Sequence, residues 1–268
     1  MTRAIIDGLP GWTDEDVRRA ALDAPRRAYV RFPGLEVIER PGWCQLVAPM
    51  FREAGLNGVW HCALPDDDAD AAIDGAIAEY AALGVRFRWL VDDESRPRDL
   101  AARLAARGLT AEPCRIMARA TARPVDAPAD PDITVERVAR DDDDARAAFD
   151  AVATGGWELD PAPFIAYHRI LLDDPAGAAT LYLARWRGEP AATALHLRIG
   201  RTIFLVAGVV LPAHRGRGLY RALVAARLRD AASEDRPLAI TLARASTSAP
   251  ILDRLGFVTV SEATSFGS

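Results

Sequence analysis

Arg215, Gly216, Arg217 and Gly218 alternate two guanidinium groups with two residues that carry no side chain. Such a stretch can hold an anion: glycine lets backbone N–H groups approach a ligand closely, and arginine's forked donors match phosphate oxygens. Charge alone does not establish this, because the chain has no lysine and all 33 of its basic residues are arginine. The flanking pattern says more. Residues 202–211 form an apolar run that reads as a strand, and Leu219, Tyr220, Leu223, Val224 and Leu228 then fall on one helical stripe, with Arg221 and Arg229 off it. Strand, glycine loop and helix in that order aim the unpaired N–H groups and the dipole of a helix N-terminus at a phosphate.

The rest of the C-terminal half supplies a scaffold for that loop. Residues 132–140 read as a strand, after which Asp141, Asp142, Asp143 and Asp144 cap and charge the first turn of a helix through 145–153. A second helix covers about 163–172, and strands 179–186 and 192–199 form a hairpin around Arg187, Gly188, Glu189 and Pro190. The strand at 202–211 is apolar on both faces, as a central strand is, and Gly208 within it predicts a bulge or the close approach of another backbone. A short strand at 238–243 follows. Ser246, Thr247 and Ser248 cap a helix with Ile251, Leu252 and Leu255 inward, Gly256 stops it, and a final strand starts at Phe257.

The N-terminal half repeats this order of elements: two strands at 42–49 and 55–64, a helix over 68–83, a strand at 85–91, a helix over 97–109 and a strand at 114–120. Gly108 and Leu109 stand where Gly256 and Phe257 stand later. Three prolines among small and polar residues in 118–132 mark a stiff linker. The reading is therefore α/β (α+β), with mixed-sheet domains in tandem at 1–120 and 131–268 joined by a linker at 121–130.

The segment around Arg215 resembles the acyl-CoA-binding motif of the GNAT superfamily of N-acyltransferases, Arg/Gln-x-x-Gly-x-Gly/Ala after a central strand and a proline. Arg215, Gly218 and Leu219 fit it, and Leu255, Gly256 and Phe257 resemble the superfamily's closing helix-strand motif. The resemblance implies that acetyl-CoA is the acyl donor. Val209, Val210 and Leu211 would pair with its pantetheine arm, Arg215, Gly216, Arg217, Gly218, Leu219 and Tyr220 would surround its pyrophosphate, and an N–H near Val209 or Val210 would polarise the thioester. It implies transfer to a primary amine of a small molecule or peptide by direct attack, with a non-catalytic acyl-CoA sensor as the alternative.

This sequence departs from the motif twice. Tyr220 stands where glycine or alanine is preferred, and core packing with Val224 and Leu228 is the expected reason. Leu252 stands where many members carry a tyrosine that protonates the leaving thiolate. A thiol pKa of ~8.5 limits the cost of expelling thiolate near neutral pH to roughly 2 kcal/mol, so transfer survives without that acid. Candidates for proton transfer are Glu158 and Asp160 in the joint between the first two helices, His196, and Ser246 and Ser248. Their structural alternatives are a sheet histidine and helix caps.

In the N-terminal half, Asp66, Asp67 and Asp68 occupy the place of the glycine loop, where they favour a helix start and repel pyrophosphate. That half reads as a degenerate GNAT copy that walls the acceptor site or stabilises its neighbour, with Trp43, Trp60 and Trp89 as core aromatics. A net charge of -5 argues against nucleic acid as a partner. No apolar run is long enough for a bilayer and no secretory signal opens the sequence, so a cytoplasmic location is expected. Cys44, Cys62 and Cys114 and the four histidines, His61, His168, His196 and His214, are too scattered for a disulfide framework or a metal site.

Overall fold

Thr13 starts the first helix. Its hydroxyl accepts from the Asp16 N–H at 3.1 Å while its own N–H donates to the Asp16 carboxylate at 2.9 Å, a capping box at the head of α1 (Asp14–Asp23). The computed structural model describes residues 6–52, 55–125, 130–157 and 160–268. After α1 come β1 (Glu36–Arg40), β2 (Trp43–Val47), β3 (Gly58–Cys62), α2 (Asp66–Leu83), β4 (Arg88–Val91), α3 (Leu100–Ala106) and β5 (Thr110–Ala120). The second half follows as β6 (Ile133–Arg137), α4 (Asp143–Trp157), α5 (Pro161–Asp173), β7 (Ala179–Trp186), β8 (Glu189–Ile199) and β9 (Thr202–Val210). It closes with α6 (Leu219–Ser233), β10 (Leu238–Arg244), α7 (Ser248–Arg254) and β11 (Val258–Gly267).

These elements form two compact units whose segments interleave in sequence. The amino-terminal unit contains Arg31–Ile116, Ala243–Pro250 and Thr259–Ser268, and the carboxy-terminal unit contains Met1–Val30, Met117–Leu242 and Ile251–Val258. In the amino-terminal unit the strand order is β1-β2-β3-β4-β11-β5. β11 pairs antiparallel along the length of β4, Thr264 opposite Val91 and Gly267 opposite Arg88, and so lies between β4 and β5. In the carboxy-terminal unit the order is β6-β7-β8-β9-β10, with the Met117–Ala120 end of β5 beside β10. Residues 118–120 close this strand, as the strand expected at 114–120 has them.

Helices cover the sheet of each unit because their apolar stripes match the sheet's apolar face. In the amino-terminal unit Ile73, Ala76 and Tyr80 of α2 and Leu100 and Leu104 of α3 pack on Val59 and Trp89. Trp43 meets Trp89 edge to face at 5.4 Å, and Tyr80 stacks on Phe87 at 4.5 Å, so these indoles and phenol are core groups. In the carboxy-terminal unit Leu219, Leu223 and Ala226 of α6 pack on Tyr182, Ala184, Ala192 and Ala194.

α3 and α7 end in the same way. Gly108 (φ 82°) and Gly256 (φ 80°) take the left-handed conformation that glycine adopts without strain. Leu109 N–H returns to the Leu104 carbonyl at 3.3 Å, and Phe257 N–H returns to the Leu252 carbonyl at 3.0 Å. Leu252 is thus the counterpart of Leu104, and both are buried.

Candidate active site

β9 is held unequally along its two edges. It pairs with β8 along its length, but with β10 only through Thr202–Leu205 opposite Leu238–Thr241. At the last paired position the Thr241 hydroxyl donates to the Leu205 carbonyl at 2.9 Å. A bulge follows, in which Ala207 (φ 53°) and Gly208 together oppose Ala194. Beyond it Leu211 N–H donates to the Ala191 carbonyl at 2.9 Å. Antiparallel alternation then turns the backbone groups of Val209 and Leu211 toward β8, and those of Val210 toward the open edge. The Val210 carbonyl accepts from Arg215 Nε at 3.3 Å, which leaves the Val210 N–H as the donor at that edge. Of Val209, Val210 and Leu211, Val210 is the one that turns its backbone to the open edge.

The loop after β9 needs its glycines. Gly216 (φ 78°) and Gly218 (φ 87°) are left-handed, and Gly216 has open space where a side chain would stand. Gly218 is the N-cap of α6; no side chain caps this helix and no acid lies in its first turn. The first-turn N–H groups of Leu219, Tyr220 and Arg221 therefore converge on open space, with the helix dipole behind them. Leu219 is buried and anchors the turn, while Arg215 and Arg217 are exposed. Among the described residues no carboxylate pairs with either arginine. Arg217 places its guanidinium 4.9 Å from the centroid of the Trp186 ring.

Tyr220 fills a space that Gly208 leaves empty. A Cβ on Gly208 would lie 3.0 Å from Tyr220 Cε2, so the two positions trade volume across the bulge. Of the two expectations for Gly208, the bulge is present, and the group that approaches it is this ring and not another backbone. On the other side of β9, Gly156 of α4 lies against Val209, where a Cβ would come within 2.6 Å of a Val209 methyl. Burial pushes the Tyr220 phenol above its ordinary range, so it stays protonated near neutral pH.

The proton-transfer candidates fall in different places. His196 is 0% exposed and neither ring nitrogen has a hydrogen-bond partner. Burial first, then the positive charges of Arg198 and Arg227, push it down to about 3, which makes it a neutral ring sealed from solvent. It cannot take a proton from a bound amine and return it to water, so His196 is a core residue. Asp160 caps α5, accepting from Ala162 N–H at 3.2 Å. Glu158 lies outside the described residues. Ser246 is exposed and Ser248 opens α7; both belong to the 243–250 segment of the amino-terminal unit. Leu252, 1% exposed, presents no proton.

Arg227 is a group the sequence pattern hid. It is 2% exposed, donates to the Leu223 carbonyl at 3.1 Å and the Leu195 carbonyl at 3.2 Å, and among the described residues makes no ion pair. It falls seven residues after Tyr220 and four after Leu223, on the buried stripe of α6. The run Asp141–Asp144 matches its expected role as a cap: Asp142 accepts from Ala145 N–H at 2.9 Å at the head of α4.

The acidic loop of the amino-terminal unit is engaged internally. Arg103 of α3 reaches Asp66 at 2.6 Å and Asp70 at 3.3 Å, and Arg107 reaches Asp70 at 2.9 Å and Asp74 at 2.6 Å. Asp66, Asp70 and Asp74 are spaced at i, i+4 and i+8 along α2, so one helix face docks on two arginines. Asp67 and Asp68 remain exposed. Among the described residues no group of His, Cys, Asp and Glu could hold a metal ion, and no helix is long and apolar enough to cross a membrane.

Residues 114–239 match a family model described as an acetyltransferase (GNAT) domain. No curated protein matches the chain. Among solved structures, a GCN5-related N-acetyltransferase from Kribbella flavida aligns with a TM-score of 0.65 at 20% identity, covering 94% of each chain. A GCN5-related N-acetyltransferase from Sphaerobacter thermophilus aligns at 0.58 and 18% identity, covering 87% of this chain and 75% of that one. A tandem GNAT protein from the clavulanic acid biosynthesis pathway aligns at 0.57 and 14% identity, covering 98% and 89%. Identities this low establish the fold and not the substrate. Residues 114–239 are similar to a GNAT acetyltransferase domain, and the chain has the mixed α/β fold of the GCN5-related N-acetyltransferases.

Proposed function

We propose that the carboxy-terminal half moves an acyl group, acetyl in the simplest case, from acyl-CoA to a primary amine of a small molecule or peptide by direct attack. The observation that carries this reading is the parting of β9 from β10 after Leu205, followed by a glycine loop that opens an uncapped helix. Backbone there is free to pair with an extended ligand, and the loop is free to receive a diphosphate. The Val210 N–H donates to the thioester oxygen as negative charge develops on it during attack. Arg215 and Arg217 add fixed positive charge beside the diphosphate. An amine with a pKa of ~10.4 sheds its proton before attacking, and the described residues offer no base for this, so solvent or the acceptor itself takes it.

The amino-terminal half, in this reading, is a copy that does not bind CoA, since its loop is acidic and its α2 is docked on Arg103 and Arg107. A second reading, acyl-CoA binding without transfer, is favoured by the burial of both Leu252 and His196. Titrating the protein with acetyl-CoA in a calorimeter and following thiol release with a panel of primary amines separates the two. Saturable binding with amine-dependent thiol release supports transfer; binding with no release across the panel supports the sensor; no binding refutes both.

A further inference from the structure

The glycine loop is not the end of the ordered positive surface. Trp186 closes β7, packed against the α6 cluster on its inner side, and two guanidinium groups lie over its ring, Arg217 at 4.9 Å and Arg187 at 5.5 Å. The two arginines differ in freedom. Arg187 is held by Asp132, Nε to carboxylate at 2.7 Å, and its backbone N–H also donates to Asp132, so it belongs to the hairpin turn. Arg217 has only the indole, and its N–H edges are turned to no protein acceptor among the described residues. An arginine stacked on an aromatic ring keeps its in-plane donors available and loses little freedom on meeting a phosphate.

With the loop read as a diphosphate cradle, a reading this subsite depends on, we propose that Trp186 and Arg217 form the subsite for the nucleotide end of the acyl-CoA, the adenosine with its 3′-phosphate. Nucleobases stack on guanidinium planes and on indoles, and a guanidinium with free donor edges receives phosphate. Arg217 stands between Gly216 and Gly218, where the diphosphate would be held, and the Trp186 ring lies against its guanidinium. The pantetheine arm leaves the same loop along Val210, so the two ends of one ligand diverge from it. The platform makes the donor a CoA thioester in particular, and a thioester that ends at the 4′-phosphate gains nothing from it.

The test compares acetyl-CoA, acetyl-3′-dephospho-CoA and acetyl-4′-phosphopantetheine on the full chain and on Trp186→Ala, by calorimetric Kd. Trp186→Ala is expected to weaken acetyl-CoA about ten-fold, the value of one lost stacking platform, and to leave acetyl-4′-phosphopantetheine unchanged. Trp186→Phe restores part of the loss. Equal weakening of all three ligands would show that Trp186 only supports the loop, and no change in the acetyl-CoA Kd would place the nucleotide elsewhere; either outcome overturns the subsite while the acyl-CoA reading stands. Failure of the unaltered protein to bind acetyl-CoA at all overturns that reading instead.

Discussion

Gly208 and Tyr220 offer a sharp test of how this chain tolerates a bulky ring at the head of α6. Gly208→Ala puts a methyl 3.0 Å from Tyr220 Cε2 and 3.6 Å from Cδ2, inside the ordinary contact distance at the first atom. Overpacking of this kind costs about 1–3 kcal/mol, while replacing glycine by alanine within a strand returns about 0.5–1 kcal/mol. The net expectation is a loss of about 1 kcal/mol against Tyr220. In a Tyr220→Ala background the clash is gone, and the same change should gain about 0.5 kcal/mol, which makes the coupling between the two positions roughly 1.5–2 kcal/mol. Tyr220→Phe keeps the ring and should leave the penalty in place, since the hydroxyl is not the group in contact. Urea unfolding of the four proteins in the cycle, with the phenylalanine variant as control, gives these differences directly. If Gly208→Ala has the same effect in both backgrounds to within about 0.5 kcal/mol, the trade of volume across the bulge is wrong.

Other consequences rest on the same geometry. Arg217→Glu should raise the acetyl-CoA Kd by more than about ten-fold, because it exchanges a phosphate donor for a like charge, and an unchanged affinity would remove Arg217 from the diphosphate site. His196 is held near 3 against an ordinary 6.5, so its contribution to stability is complete above about pH 6.5 and disappears as pH falls toward 3. Compared with His196→Leu by urea unfolding at several pH values, the unaltered chain should lose about 1.4 kcal/mol more per pH unit between those limits; parallel pH profiles would show that the ring is not held neutral. Thr13→Ala removes the capping box of α1 and should cost about 1 kcal/mol in the same assay, with Thr13→Ser restoring most of it.

The loop is legible because its evidence is local. Strand, glycines and helix stripe lie within residues 202–228, and each can be recognised from its neighbours in sequence. What is not legible depends on pairs distant in sequence. Trp186 and Arg217 are far apart in the chain, and nothing in either segment indicates that one ring will orient the other's charge. The α1 helix carries readable signals, Thr13 three residues before Asp16 and an apolar face of Val17, Ala21 and Leu22, yet it is short and highly charged, which leaves that face narrow. Alternation shows that residues 258–267 favour a strand but not which strand they join, so the pairing of β11 with β4 has no signature in either segment. His196 reads as reachable because it shares a strand face with Arg198. Arg198, however, pairs with Glu234 at 2.7 Å near the strand end, while His196, two residues deeper, is enclosed.

Comparing the two halves separates scaffold from added chemistry more cleanly than the motif alone does. Both halves place a parallel pair beside one strand, β3 or β9, and let it lapse: after Val59 and Trp89 in one, after Leu205 and Thr241 in the other. Both close the next helix but one, α3 or α7, on a left-handed glycine, with the following residue bonded back to a buried leucine. Neither feature can therefore distinguish an acyl-CoA site from a silent copy, and Leu252, like Leu104, is a core residue of that shared helix end. The halves part only at the head of the helix after that strand. There one has acids docked on arginines of the same unit, and the other has an uncapped turn, two left-handed glycines and two arginines with no carboxylate partner among the described residues. If that turn is the diphosphate site, acids grafted onto its exposed positions, as in Arg215→Asp with Arg217→Asp, should abolish acetyl-CoA binding while leaving unfolding in urea close to that of the unaltered chain.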